Sequence, residues 1–197
     1  MVRIRPIYLI PIAAAMGIFA LLALVDEGPA AGLSQQLAGR AVGTMVNFTL
    51  SPELPPAPAI KFRDENGGKH NLKAFAGKVV LINFWATWCG PCRREMADLD
   101  RLQAKLGGAD FTVLALSSDR KGMEVVKKFY AENNIRHLAA WIDRTTKAQR
   151  AFGAYGLPTS VLIDRQGRQV GRLVGPAEWA SDDAIALIKA VIAAADH

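Results

Sequence analysis

Cysteine is nearly absent from this sequence: its 197 residues contain only two, Cys89 and Cys92, and these stand three positions apart. A secreted scaffold held together by disulfides needs more cysteines at wider spacings, so that class of protein is excluded. A bridge between two residues this close constrains the unfolded chain little. The pair is therefore better suited to chemistry than to structural support.

Metal-binding side chains are also scarce. A structural zinc site takes four ligands, but the chain has no second cysteine pair, and its three histidines are scattered at His70, His137 and His197. This inventory argues against structural zinc, whereas a copper site built from the cysteine pair and one histidine stays open as an alternative. We expect no resident metal and no other cofactor.

A stripe of Arg and Lys interleaved with aromatic residues is missing as well, so nucleic-acid binding is not expected. The chain has 24 basic and 18 acidic residues, which gives a formal charge of +6. This surplus favours an acidic partner or anionic lipid headgroups. The alternative is that the charges are spread evenly over a solvated surface.

Charged residues are absent from residues 7–25, an apolar run long enough to cross a bilayer as a helix. Two arginines precede the run and two acidic residues follow it. The positive-inside rule then leaves residues 1–6 in the cytoplasm and exports the rest of the chain. A single-pass signal-anchor is therefore predicted. The alternative is a cleaved signal peptide, whose apolar region is normally shorter.

Residues 26–58 are predicted to form an extended tether because glycines open them and prolines close them. The compact domain is predicted to cover residues 59–197. Its hydrophobic patterning indicates a hairpin at 60–72, strands at 79–85, 111–116, 138–142, 159–163 and 169–174, and helices at 123–133, at 146–152, from Gly90 onward and after Ser181. This order indicates an α/β fold, with helices on both faces of a mixed sheet.

The two cysteines flank Gly90 and Pro91, and proline is well accommodated in the first turn of a helix. A helix N-terminus stabilises a thiolate, which is the reactive form of cysteine. Cys89, just before the helix, is therefore predicted to be the exposed nucleophile. Cys92, one turn further on, is predicted to lie beneath it and to resolve the mixed disulfide that forms first.

Residues 85–92 read Trp-Ala-Thr-Trp-Cys-Gly-Pro-Cys on a strand-to-helix turn, which resembles the thioredoxin superfamily. Leu157-Pro158-Thr159 resembles the second hallmark of that superfamily, a cis-proline loop packed against the dithiol. Within the superfamily, residues 83–88, residues 92–96, the tail at 175–180 and the longer segment between the two hallmarks resemble the TlpA-like branch, whose relatives include ResA and CcmG. The resemblance starts near residue 59 and implies a thioredoxin-like fold with a central strand–helix insert.

The resemblance also implies a redox disulfide between Cys89 and Cys92 with a client-binding surface around it. The residues implied for that surface are Trp88, Gly90, Pro91, Leu157, Pro158 and Thr159. For Trp88 the alternative is core packing, and for Pro158 it is a trans proline at the start of a strand.

The proton acceptor for Cys92 departs from the thioredoxin pattern. Thioredoxins carry a buried Asp six positions before the first cysteine, where this chain has Asn83, which cannot take a proton. Glu95 follows Cys92 by three residues, so it lies on the same helix face and is the candidate acceptor. The alternative is a solvated Glu that interacts only with the helix dipole.

As a member of this branch, the chain is expected to be a thiol:disulfide oxidoreductase anchored in the inner membrane, with its domain in the periplasm. The Gly-Pro between the cysteines resembles reducing thioredoxins, so the resemblance implies a reductase supplied by a membrane electron donor of the DsbD or CcdA kind. The implied clients are the copper-site subunit of cytochrome oxidase, its Sco-type chaperone, or apocytochrome c. The alternatives are a thiol-dependent peroxidase, a Sco-like copper chaperone and a non-enzymatic binding module.

Overall fold

The computed structural model describes residues 32, 33, 37 and 39–194. The predicted membrane segment at 7–25 lies outside these residues. Within them, no helix is both long enough and apolar enough to cross a bilayer.

A mixed sheet runs through the centre of the described chain. Its strands are β1 (Thr49–Leu50), β2 (Phe62–Arg63), β3 (Lys69–His70), β4 (Val79–Trp85), β5 (Phe111–Ser117), β6 (Trp141–Ile142), β7 (Thr159–Ile163) and β8 (Gln169–Val174). Their order across the sheet is β1-β8-β7-β4-β5-β6-β2-β3. The neighbours β4, β5 and β6 run parallel, and the other neighbouring pairs are antiparallel.

Helices cover both faces of this sheet, as the sequence predicts. Within residues 39–194 the α-helices are α1 (Gly90–Leu106), α2 (Met123–Glu132), α3 (Lys147–Ala151) and α4 (Asp182–Ala194). The buried side chains of α1, α2 and α4 pack on one face, and those of α3 pack with the β2 hairpin on the other. The predicted α/β fold with a mixed sheet is confirmed.

Three strands have the bounds that the sequence predicts; one of them, Gln169–Val174, is partly buried, and the other two are buried throughout. Val79–Trp85 is buried at all seven positions, and Thr159–Ile163 at all five, and both have the bounds that the sequence predicts. The predicted strand at 138–142 shortens to Trp141–Ile142, because only these residues pair with neighbouring strands. Continuous burial gives a strand an unambiguous apolar pattern, which a two-residue strand lacks.

Part of the segment predicted as a tether contributes to the domain. Thr49 and Leu50 pair with β8, opposite Arg172 and Gly171. A Cβ on Gly171 would lie only 2.5 Å from Cε1 of Phe48, so glycine is what allows this close approach. Ordered packing therefore begins before residue 59. Two paired residues between prolines carry too little pattern to show this in the sequence.

The same N-terminal segment also contacts the start of α4. The hydroxyl of Thr44 lies 2.7 Å from that of Ser181, and the Thr44 N–H donates to Asp183. Ser181 caps α4, as predicted, by accepting a hydrogen bond from the Ala184 N–H at 3.3 Å. These contacts attach residues 39–50 to the helical face of the domain.

Candidate active site

Cys89 and Cys92 form a disulfide at the junction of β4 and α1. Cys89 is the N-cap of α1, and its sulfur accepts a hydrogen bond from the Cys92 N–H at 3.3 Å. Pro91 lies in the first turn, where its missing N–H has no helical partner to lose. The free N–H groups of a helix start thus face the Cys89 sulfur, an arrangement that favours a thiolate there.

The two sulfurs differ less in exposure than the sequence analysis expects. Cys89 is only 6% exposed and Cys92 is fully buried. The expectation of an openly exposed Cys89 is therefore wrong for the disulfide form, in which its Sγ is bonded to the buried Cys92. Cys89 is still the one residue of the pair with any accessible surface.

A groove of about 980 Å³ opens beside the disulfide. It brings together Cys89 and four of the six predicted surface residues, namely Trp88, Gly90, Pro91 and Leu157. Trp88 is 70% exposed, which excludes core packing as its role, whereas Trp85 is fully buried. Tyr155, which the sequence analysis does not single out, also lines the groove and is 86% exposed.

Pro158 and Thr159 lie behind this groove and not on its surface. The Leu157–Pro158 peptide bond is cis, and Pro158 is buried with its carbonyl accepting a hydrogen bond from the Gly175 N–H at 2.9 Å. The hydroxyl of Thr159 donates to the Gly156 carbonyl at 2.7 Å, and Thr159 is 1% exposed. Both residues hold the loop that presents Leu157.

Asp119 fixes the loop that precedes Cys89. Its carboxylate accepts two hydrogen bonds from Thr87, one from the backbone N–H at 2.9 Å and one from the hydroxyl at 2.7 Å. The Ser117 hydroxyl donates to it as well, at 2.8 Å. The parallel strands β4 and β5 end side by side, which brings Thr87 next to Asp119. The polar run that follows β5 is the signal from which the sequence analysis could have identified this residue.

Glu95 is buried on the inner side of the dithiol, one helical turn after Cys92, and is 3% exposed. Its Oε1 accepts a hydrogen bond from the Asn83 side-chain amide at 2.8 Å, and its Oε2 accepts one from the Ala177 N–H at 3.0 Å. The alternative of a solvated first-turn glutamate is thereby excluded. A carboxyl group held in the interior beside a reactive pair can exchange a proton with it.

Burial raises the pKa of Glu95 from its ordinary 4.5 to about 7, because the charged carboxylate loses its hydration. Hydrogen bonds from Asn83 and Ala177 oppose this rise by stabilising the charged form. The indole N–H of Trp179 acts in the same direction without making a hydrogen bond of ordinary geometry. The result is a carboxyl group that changes its protonation near neutral pH.

The Asn83 amide stabilises the charged form of Glu95. Its Nδ2 donates to Glu95 and also to the Ser160 hydroxyl at 2.9 Å, while its Oδ1 is buried without a hydrogen-bond partner among the described residues. An orphaned buried acceptor is costly, so the donated hydrogen bonds are made at the expense of Oδ1.

Three of the residues around Glu95 are absent from the sequence prediction. Ser160 comes from β7, and Ala177 and Trp179 come from the tail that follows β8. The tail contributes a backbone N–H and a fully buried indole, which its sequence does not reveal. Only the position of Asn83 on the apolar strand β4 gives a signal, because a polar side chain there requires a buried partner.

The chemistry of this arrangement needs nothing beyond the side chains described. It combines a disulfide at a helix start, an open groove on one side and a buried proton acceptor on the other. These are the parts that thiol–disulfide exchange uses. Among the described residues, no cluster of three or more His, Cys, Asp or Glu side chains is arranged to hold a metal ion.

Comparison with known proteins agrees with this chemistry. The Redoxin family matches residues 55–187. Thiol-disulfide oxidoreductase ResA from Bacillus cereus (strain ZK / E33L) is 36% identical over 119 residues, covering 60% of this chain and 68% of the relative. ResA from Bacillus anthracis is 38% identical over 122 residues, with the same two coverages.

Solved structures of thiol-disulfide oxidoreductases are also similar to this chain. The thioredoxin domain of a thiol-disulfide oxidoreductase from Bacteroides vulgatus superposes with a TM-score of 0.59 at 27% identity, covering 72% of this chain and 95% of its own. A thiol:disulfide interchange protein of the thioredoxin family from Chlorobium tepidum TLS gives a TM-score of 0.58 at 29% identity, with coverages of 70% and 96%. The chain therefore belongs to the Redoxin family, and it is a thiol-disulfide oxidoreductase of the TlpA/ResA/CcmG-like group within the thioredoxin superfamily.

Proposed function

We propose that this protein is a membrane-anchored reductase of protein disulfides on the periplasmic side of the inner membrane. The observation that carries the proposal is the position of the Cys89–Cys92 disulfide, at a helix start, between an open groove and the buried Glu95. The uncharged run at residues 7–25 and the arginines before it support the anchor and the direction of export. The chain between residue 25 and the first contacts of the domain then links the anchor to it.

The proposed reaction begins with the reduced dithiol. The Cys89 thiolate attacks one sulfur of a client disulfide, which forms a Cys89–client bond and releases the other client sulfur as a thiolate. Cys92 then gives its proton to Glu95 and attacks the Cys89 sulfur. This second step forms the Cys89–Cys92 disulfide and frees the second client thiol. Two electrons have moved from the dithiol to the client.

The residues around the pair divide this work between them. Trp88, Gly90, Pro91 and Leu157 form the surface against which an extended client segment lies. Pro158 and Thr159 support that surface from behind. Since the Glu95 carboxyl exchanges its proton near neutral pH, it can accept a proton from Cys92 and return it in the next cycle.

The direction of electron flow is supported by the Gly-Pro between the cysteines, which resembles reducing thioredoxins. A reductant outside the cytoplasm needs electrons from across the membrane, and a donor of the DsbD or CcdA kind supplies them in this proposal. The proposed clients are cysteines of respiratory-complex assembly: the cytochrome oxidase copper-site subunit, its Sco-type chaperone, or apocytochrome c.

Two measurements test the proposal. The reduction potential of the Cys89–Cys92 couple, obtained by equilibration with thiol buffers, is expected near the roughly −270 mV of thioredoxin. A value near the about −120 mV of DsbA would overturn the reductase assignment. In membranes, Cys92→Ser is expected to trap clients on Cys89 as mixed disulfides, and mass spectrometry identifies them. Recovery of no respiratory-assembly protein would reject the proposed clients, with Cys89→Ser/Cys92→Ser as the control.

A further inference from the structure

A second groove adjoins the groove beside the disulfide. This neighbour has a volume of about 890 Å³ and runs along the hairpin of β2 and β3, β6 and the start of α3. Arg120 lines both grooves, and the Nε of Arg144 donates to its carbonyl at 3.0 Å. The two grooves therefore adjoin at Arg120, and we call them together the basic trough.

The lining of the basic trough is strongly cationic. Its basic residues are Lys61, Arg63, Lys69, Arg120, Lys121, Arg144, Lys147 and Arg150. Across residues 39–194, none of these eight side chains forms an ion pair with a carboxylate. Three guanidinium groups are held by backbone carbonyls instead, for example Arg63 by Gly67 at 2.7 Å. The trough thus has positive charge without local neutralisation by ion pairs.

Only two described carboxylates line the trough, and both are already engaged. Asp119 is 2% exposed and holds Thr87 and Ser117. Asp143 is 8% exposed and accepts hydrogen bonds from the backbone N–H groups of Thr145 and Ala148 at 2.9 and 2.8 Å. Their lone pairs face inward to these donors. A ligand lying in the trough therefore meets exposed cations.

From this we infer that the basic trough binds an acidic, extended segment of a client protein that lies next to the client cysteine reacting with Cys89. The inference rests on the proposed function, because it assigns a substrate class to the same disulfide. A protein segment is favoured over other polyanions because one of the two grooves is lined by Cys89 itself, and because Trp88 and Tyr155 offer apolar contact there. Charge complementarity of this kind mainly raises the rate of association.

The test uses peptides that carry one cysteine as a mixed disulfide with 2-mercaptoethanol, a neutral leaving group. Two acidic peptides have four Asp or Glu residues on one side or the other of the cysteine, and the neutral peptide has Asn and Gln there. The full chain in detergent is reduced, and its second-order rate of exchange with each peptide is measured by stopped-flow tryptophan fluorescence at low and high salt.

The test variant is the triple substitution Lys61→Glu/Lys69→Glu/Lys147→Glu, whose positions are all exposed. The matched control, Lys105→Glu/Lys128→Glu/Lys189→Glu, makes the same change in net charge on helices α1, α2 and α4, outside the lining of the trough. Urea unfolding checks that both variants are folded. A third variant replaces the same three lysines by Gln, which removes their positive charges without adding negative ones. It therefore separates the loss of attraction from the repulsion that Glu introduces.

With the native chain, we expect at least one acidic peptide to react about tenfold faster than the neutral peptide at low salt, and this ratio to fall toward one at high salt. The trough variant should lose the preference, whereas the control should keep it. Equal rates for all peptides, or equal loss in both variants, would overturn the inference and leave the oxidoreductase function standing. Failure to exchange with any peptide would instead count against the proposed function. Binding to phosphatidylglycerol vesicles, lost in the trough variant and without any peptide preference, would assign the trough to lipid.

Discussion

The two sides of the Cys89–Cys92 disulfide present opposite environments within one helical turn. On the outer side, Trp88 and Tyr155 are largely exposed and the surroundings are cationic. On the inner side, Trp179 is fully buried and Glu95 nearly so. The outer residues are largely exposed, so substitutions there are expected to leave the fold intact and, in the proposed function, to affect client binding. The inner residues are buried, so substitutions there are expected to change stability, and at Glu95 also the proposed proton transfer.

The largest expected effect is a loss of stability on the inner side, when its buried tryptophan, Trp179, is removed. Trp179→Ala should lower the free energy of unfolding by about 3–5 kcal/mol, because it removes a fully buried indole and leaves a cavity against α1 and α4. Urea unfolding of the full chain in detergent measures this. A loss below about 1 kcal/mol would mean that the tail at 175–180 does not anchor the inner side.

A smaller expected effect concerns the pH dependence of stability, which arises from the buried carboxyl group of Glu95. The pKa of Glu95, raised from 4.5 to about 7, means that the folded protein holds a proton in this range that the unfolded chain has released. The free energy of unfolding therefore falls as pH rises through this window, by about 3 kcal/mol in total. Glu95→Gln removes that dependence, so its stability relative to the native protein should increase by this amount between pH 4 and pH 8.

The measurement is urea unfolding of both proteins across the pH range, taking their difference at each pH so that all other groups cancel. Glu178→Gln is the matched control, since Glu178 lies on the same tail but is exposed. If the free energies of unfolding of Glu95→Gln and the native protein depend on pH in the same way, the pKa of Glu95 is not raised by burial. In the same series, a loss of the pH dependence of Cys92 reactivity in Glu95→Gln would support the proton-accepting role.

The smallest expected change in stability is on the outer side. Trp88→Ala should alter the free energy of unfolding by no more than about 0.5 kcal/mol, because its indole is 70% exposed. Exchange with a client peptide should slow by about tenfold, since exposed tryptophans at binding surfaces often contribute more than 1 kcal/mol. Stopped-flow exchange and urea unfolding on the same preparation separate the two effects. A fall in stability as large as that for Trp179→Ala would remove the contrast between the sides.

Sequence patterns predicted the parts of this molecule whose residues are close together in the chain. The apolar run of β4 and the Cys89–Cys92 spacing at a helix start are local features, and each has one simple physical interpretation. The partners of Glu95 are not local: Asn83 and Ala177 reach it from two separate segments, and Ser160 bonds to Asn83 from a third. The sequence named Glu95 through its distance from Cys92, but only the packed structure shows that it is desolvated.

The basic residues of the trough are also distant from one another in the chain, so the sequence could not predict that they lie together. They come from the β2–β3 hairpin, the turn after β5 and the start of α3, so no window of the sequence contains more than a few of them. The net charge of +6 indicated a basic surplus without a location. Pairing of β2 with β6 is what brings Lys61 and Arg63 to the same side as Arg144.

The pairing of β1 with β8 has a consequence for how an anchored molecule would face its surroundings. β1 is the first strand of the sheet and β3 is the last, so the chain enters at one edge while the hairpin of the basic trough occupies the opposite edge. Seven spacings of about 4.8 Å separate these edges by roughly 34 Å along the sheet. In the proposed anchored molecule, the chain that leads to the anchor therefore joins the sheet at the edge opposite the β2–β3 hairpin of the basic trough.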